Sequence, residues 1–198
     1  MRHGKKQGGP GPRRILGGGG RGRRLAEPVP GATRPTSARV RQAIFDILGT
    51  RVLEADFLDA YAGTGAVGIE ALSRGARRVV FIENDPDAVR AIGVSLAAWP
   101  AGTVELIAGD VGRALERLEE NGTRFTIAFL DPPYGDPGLA LALERAAGLV
   151  APGGILVIEH RRADRLEAPA AIRVVGGRTY DHGDTALTTF ILPGPDGR

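Results

Sequence analysis

The chain has 198 residues, with 26 Lys and Arg, 23 Asp and Glu, three His and no Cys. That length suits one domain with an appendage, and the absence of Cys excludes disulfide stapling, thiol nucleophiles and Cys-ligated zinc or iron–sulfur centres. The net charge of +3 hides an asymmetry: residues 1–41 carry 11 Lys and Arg against the single acid Glu27, a net of +10, while residues 42–198 carry 15 against 22, a net of −7.

A basic arm of this kind meets a polyanion. Its bias to Arg suits nucleic acid, because the guanidinium contacts phosphates bidentately and stacks on bases. The competing reading is a solvated tail whose Arg content reflects genome composition. No apolar run approaches the ~18 residues of a membrane span. The basic N-terminus lacks the apolar core of a signal peptide, so a cytoplasmic location is expected.

Residues 1–12 are Gly, Pro and charge, and read as a disordered basic tail. Arg13–Leu16 and Arg21–Leu25 flank four glycines, which predicts a small basic hairpin, followed by a Pro-rich linker to residue 35. From Thr36, an N-cap candidate, the apolar positions Val40, Ile44, Ile47 and Leu48 predict a helix that Gly49 ends, with Arg39 and Arg41 off its apolar stripe. The chain then alternates. Strands are predicted at Asp56–Ala62, Arg78–Glu83, Val104–Ala108, Phe125–Asp131 and Gly154–Glu159, and helices at Ala66–Arg74, Pro86–Ala98, Val111–Glu120 and Gly138–Val150. This rhythm predicts an α/β domain over residues 36–198, with a parallel sheet covered on both faces. At the C-terminus Ile172–Val175 and Thr185–Leu192 predict an antiparallel hairpin that closes the sheet edge.

After the first strand, Gly63, Gly65 and Gly68 spell G-x-G-x-x-G, a turn where a ligand can approach the backbone and meet a helix N-terminus. Asp59 lies four residues earlier, as a ligand-side carboxylate or else a helix cap. A carboxylate there repels a pyrophosphate but suits an ammonium or sulfonium. Glu83 ends the second strand, 20 residues after Gly63, where a carboxylate can accept both hydroxyls of a ribose, in NAD or in S-adenosylmethionine. Asp110 follows the third strand and suits an adenine amine, or else caps the next helix.

The fourth strand ends in Asp131-Pro132-Pro133-Tyr134, at the carboxyl edge that borders the ligand crevice of an open α/β sheet. Two prolines fix the loop and leave carbonyls as acceptors. With Asp131 and the Tyr134 ring they suit a flat base bearing an exocyclic amine.

These residues resemble class I S-adenosylmethionine-dependent methyltransferases with the [DN]-P-P-[YF] signature of amino-group methylation. More narrowly, the chain is similar to the RsmD family of bacterial 16S rRNA guanine-N2 methyltransferases. The likeness runs from Arg14 to Leu25, through Thr33-Arg34-Pro35-Thr36 and Val40–Leu48, through Asp59–Ala76 with its Glu-Ala-Leu-Ser-Arg-Gly-Ala, to Asp131–Tyr134. Its departures are Tyr61, where Phe is expected, and Asn84-Asp85-Pro86 after Glu83.

The resemblance implies a Rossmann-like fold, a mostly parallel seven-stranded sheet with an antiparallel C-terminal edge, and guanine 966 of 16S rRNA as target, free or within the 30S subunit. It implies Asp131, Pro132, Pro133 and Tyr134 as catalytic residues. Asp59, Ala62, Gly63, Gly65, Gly68, Glu83, Asn84 and Asp110 would hold S-adenosylmethionine, which leaves as S-adenosylhomocysteine. Arg21, Arg23, Arg34, Arg39 and Arg41 would contact RNA. A monomer without a metal is expected, since no His and acid cluster has ligand spacing.

Other readings stay open on these residues: an amino-methyltransferase for DNA adenine, DNA cytosine or protein glutamine, a nicotinamide oxidoreductase using Gly63–Gly68, or a non-catalytic RNA-binding protein. His160, His182 and Trp99 read as loop or packing residues.

Overall fold

The computed structural model describes residues 13–26, 36–164, 166, 168–169 and 174–197. The expected tail 1–12 and most of the linker, Arg34 included, lie outside the described residues.

The alternating apolar segments form strands β1 (Asp56–Ala60), β2 (Arg78–Glu83), β3 (Val104–Ala108), β4 (Phe125–Leu130), β5 (Val150–Arg161), β6 (Gly176–His182) and β7 (Thr185–Ile191). The helices are α1 (Ala38–Leu48), α2 (Ala66–Ser73), α3 (Pro86–Leu96), α4 (Val111–Glu120) and α5 (Leu139–Leu149). The sheet order is β3-β2-β1-β4-β5-β7-β6, parallel from β3 to β5 and antiparallel at β7 and β6. The chain therefore reverses direction across the sheet between β1 and β4, and the ends of these two strands open a crevice.

Strands buried on both faces read as continuous apolar runs. Phe57, Val79, Phe81, Ile127, Phe129 and Val157 pack under α1, α2 and α3, while Leu58, Val80, Ile82, Ala128, Leu130 and Leu156 pack under α4 and α5.

Most boundaries fall within two residues of expectation, and three differences have a physical reason. Ser37, not Thr36, caps α1, its side chain accepting the Val40 N–H. β5 starts at Val150, expected as the last helical residue, rather than at Gly154, because Pro152 and Gly153, which read as a loop, form an irregularity where the register with β4 shifts. The hairpin strand before β7 is Gly176–His182 rather than Ile172–Val175. That edge strand is half solvated and polar, so it carries no apolar run to mark it, and Ile172 lies outside the described residues.

Residues 13–25 form a small hairpin, with an antiparallel bridge between Arg14 and Arg24 and the Ile15 N–H donating to the Arg23 carbonyl at 3.0 Å. Its apolar side chains Ile15 and Leu25 join the core beneath α1 and α2. Glu70 of α2, fully buried, fastens it: the Leu16 and Gly17 N–H groups each donate to its carboxylate at 2.7 Å. Ser73 Oγ accepts the Gly20 N–H at 2.9 Å and donates to the Gly17 carbonyl at 2.5 Å. Gly18 (φ 72°) lies so close that an added Cβ would sit 1.7 Å from the Ser73 carbonyl oxygen, so this turn demands glycine.

The structure corrects the assignment of Arg41 to RNA. Its side chain is 2% exposed, its Nε lies 3.7 Å from Glu70, and it donates to the Arg14 carbonyl at 2.8 Å. Burial pulls its pKa below the ordinary guanidinium value, Glu70 opposing and Arg13 and Arg74 adding to the effect. Position 41 lies four residues before Phe45 and seven before Leu48, both buried, so it shares their face of α1.

Candidate active site

The loop after β1 leaves the sheet through left-handed backbone at Tyr61 (φ 60°), Gly63 (φ 55°) and Gly65 (φ 68°). Gly65 has no side chain to cap α2. Asp59 does so from the end of β1: its Oδ2 accepts the Gly68 N–H at 2.7 Å. Asp59 is 1% exposed, and burial pushes its pKa well above the ordinary carboxylate range. The Gly68 hydrogen bond opposes this shift, and the charges of Asp131 and Glu83 add to it.

Glu83, at the end of β2, is held by three backbone donors. Its Oε2 accepts Gly63 N–H at 2.6 Å, and its Oε1 accepts the Asn84 and Asp85 N–H groups at 2.8 Å each. Such bonds fix the carboxylate plane. Asp110 caps α4, accepting the Arg113 N–H at 2.9 Å, and also lines the crevice. The Asp131 carboxylate, at the end of β4, accepts a hydrogen bond from Thr36 Oγ1 at 3.0 Å. Tyr134 is half-exposed, with its hydroxyl 3.3 Å from Thr185 Oγ1 and the Arg161 guanidinium 4.8 Å from its ring centroid.

These residues surround one crevice of about 790 Å³, within the range of small-molecule sites. The expected Asp59, Ala62, Gly63, Glu83, Asn84, Asp110, Asp131, Pro132, Pro133 and Tyr134 all line it. Asp136, Glu159 and Asp184 raise its carboxylates to seven among the described residues, and no Lys or Arg is among the described lining residues. Glu159 stands at the end of β5, and the rule that crevices lie at carboxyl strand ends was the signal that could have found it. Tyr61, whose hydroxyl donates to Asp136 at 2.8 Å, has its pKa raised by burial first and by Asp136 next. Thr36, Ser37 and Val40 close the crevice from the start of α1.

Two expected ligands are not on the crevice wall. Gly65 and Gly68 face the core: an added Cβ would lie 3.1 Å from Ile92 at Gly65, and 2.3 Å from Phe81 at Gly68. Gly68 is therefore required for packing α2 against β2 rather than for ligand approach. Arg21 and Arg23 are exposed on the hairpin and Arg39 is exposed on α1, all outside the crevice lining. Among the described residues no group of three or more His, Cys, Asp or Glu could hold a metal ion. No helix among them is long and apolar enough to cross a membrane.

A family model described as Conserved hypothetical protein 95 matches residues 13–191. The Escherichia coli (strain K12) protein named Ribosomal RNA small subunit methyltransferase D is 39% identical over 121 residues, which span 61% of this chain and 60% of that protein. The Bacillus subtilis (strain 168) protein YlbH is 32% identical over 181 residues, covering 89% of this chain and 97% of the relative. The solved structure of the Escherichia coli protein yhhF superposes with a TM-score of 0.78 at 32% identity, covering 93% of this chain and 99% of that one. The fold is Rossmann-like, as the resemblance implied.

Proposed function

Since the chain belongs to the Conserved hypothetical protein 95 family, the RsmD family, we propose that it is an S-adenosylmethionine-dependent methyltransferase acting on the N2 amine of a guanine in 16S rRNA, guanine 966 on the resemblance. The observation that carries this reading is the convergence of Asp131–Tyr134 with Asp59, Gly63 and Glu83 on one acid-lined crevice, with no lining cation among the described residues.

The donor set fits the group. Asp59 suits the ammonium, Glu83 the ribose hydroxyls, and Asp110 an adenine amine, with Ala62, Gly63 and Asn84 along the wall. S-adenosylmethionine, when bound, supplies an activated methyl on a sulfonium and leaves as S-adenosylhomocysteine. The residues here do the placing. Asp131 and the Pro132 carbonyl accept the two amine hydrogens, which orients the amine and localises its lone pair. Near-attack placement of this kind contributes ~7–11 kcal/mol in favourable cases. Tyr134 holds the ring of an extruded base. The methylated amine is acidic enough to lose its proton to water, so no general base is required.

Residues 36–198 are the catalytic domain in this reading, and 13–35 a hairpin and linker that serve RNA. Arg21, Arg23 and Arg39, with Arg34, contact phosphates and make affinity salt-dependent. The protein works in the cytoplasm as a monomer, on free rRNA or on the 30S subunit.

The test is methylation in vitro of naked 16S rRNA and of 30S subunits from cells lacking the enzyme, followed by mapping. The expected result is label on N2 of a single guanine. Label on adenine, cytosine or a ring nitrogen, or no transfer to either substrate, would overturn it.

A further inference from the structure

Next to the crevice lies a second cavity, of about 420 Å³, lined by Tyr134, Arg161, Arg162, Ala163 and Asp184. Tyr134 and Asp184 line both spaces. Arg161 ends β5 with its guanidinium over the Tyr134 ring, and Arg162 follows, its N–H donating to the Asp184 carbonyl at 2.9 Å. Both arginines are exposed, and neither has an ion-pair partner among the described residues. Among the described residues Asp184 is the single carboxylate lining this cavity, so two guanidiniums face it there against one acid.

The two cavities have opposite electrostatics. Among the described residues seven carboxylates and no Lys or Arg line the crevice, which favours a nucleotide's base there and disfavours its phosphate. The phosphate must stay outside, within one sugar's reach of the base, and the base in this reading lies against Tyr134. Among the described residues, Arg161 touches Tyr134 and Arg162 adjoins it.

We propose that Arg161 and Arg162 form a phosphate subsite for the target nucleotide, which holds its backbone at the rim while Asp131 and Tyr134 take the base. The guanidinium fork suits two phosphate oxygens. Arg161 also fixes the Tyr134 ring from one face. The inference rests on the reading that the crevice takes an extruded guanine.

The test measures the salt dependence of binding of an RNA stem-loop with an unpaired guanine to the full chain, to the Arg161→Ala/Arg162→Ala double variant and to the Arg161→Lys/Arg162→Lys double variant. A second RNA carries an uncharged methylphosphonate beside the guanine. The Ala variant should lower the salt slope by about 0.7–1.5, since each phosphate contact to a single strand contributes ~0.7. It should also raise KM for RNA about tenfold while leaving affinity for S-adenosylhomocysteine unchanged, which shows that the fold is intact. The Lys variant should keep most of the slope. The methylphosphonate should weaken binding to the wild type but not further weaken the Ala variant. An unchanged slope, or equal and additive losses from the methylphosphonate in both proteins, would overturn the subsite. Failure of the wild type to bind or methylate any RNA would instead overturn the reading beneath it.

Discussion

Helix α2 has a buried carboxylate at each end of its neighbourhood, and the two are treated in opposite ways. Glu70, near its C-terminus, accepts two N–H groups of the hairpin and is flanked by Arg41 at 3.7 Å and Arg74 at 2.9 Å. Asp59, beneath its N-terminus, accepts one N–H group and has Asp131 and Glu83 as charged neighbours instead of a cation. At Glu70 the protein supplies its own countercharge, so the group holds two parts of the structure together. At Asp59 the countercharge is left out, and a cationic ligand is the natural complement. A buried charge that is balanced marks architecture; one that is left unbalanced inside a cavity marks a site.

Removing Glu70 tests the balanced end and should have the largest effect. Glu70→Ala leaves Arg41 buried without its partner and strips two N–H groups of their acceptor, so denaturant unfolding should register a loss of ~3–5 kcal/mol. A loss under about 1 kcal/mol would mean that the hairpin is not fastened this way. In the crevice, Asp131→Ala should lower kcat about 10²–10³-fold, the scale for removing one positioned polar group from a transition state. Affinity for S-adenosylmethionine should persist in that variant, and undiminished turnover would remove Asp131 from the reaction.

Asp59→Asn sharpens the contrast, because it should weaken the ligand while strengthening the empty protein. Burial raises the folded pKa of Asp59 above its unfolded value, so the folded state holds the proton more tightly. Its contribution to stability is then present below the unfolded pKa and lost as pH rises through the folded value. At neutral pH the Asn variant should melt higher than the wild type, the gap closing in acid, and bind S-adenosylmethionine about tenfold or more weakly, the scale of one charge-assisted hydrogen bond. Calorimetry over pH reads both.

Gly68→Ala should cost ~1–3 kcal/mol by overpacking against Phe81, a structural cost at a glycine that resembles a ligand in sequence. Thr36→Val should be the mildest, lowering kcat about 3–10-fold through loss of one hydrogen bond to Asp131. Thr36→Ser should retain activity, and equal kcat in both variants would uncouple the start of α1 from the reaction.

Much of this was legible from residue order. The buried parallel strands announce themselves as apolar runs, and the rule of carboxyl strand ends leads to Asp59, Glu83, Asp110 and Asp131 before any coordinates. What the sequence hid depends on contacts between distant segments. Glu70 and Ser73 look like polar positions of an amphipathic helix, and only the hairpin more than 50 residues away explains their burial. Arg41 looks like part of a basic arm because composition carries no information about which charges are balanced inside. Gly68 fits a phosphate-binding pattern, yet its constraint comes from Phe81 on the next strand. β6 was misplaced because a half-solvated edge strand has little apolar periodicity to read.

The central claim is that the acid-lined crevice takes a cationic methyl donor rather than a pyrophosphate. Parallel calorimetric titrations with S-adenosylmethionine and with NAD, run in mild acid and at slightly alkaline pH, test it most directly. The expected result is that S-adenosylmethionine binds, that its affinity rises with pH as Asp59 ionises, and that NAD does not bind. NAD binding more tightly, or S-adenosylmethionine affinity indifferent to both pH and Asp59→Asn, would contradict it.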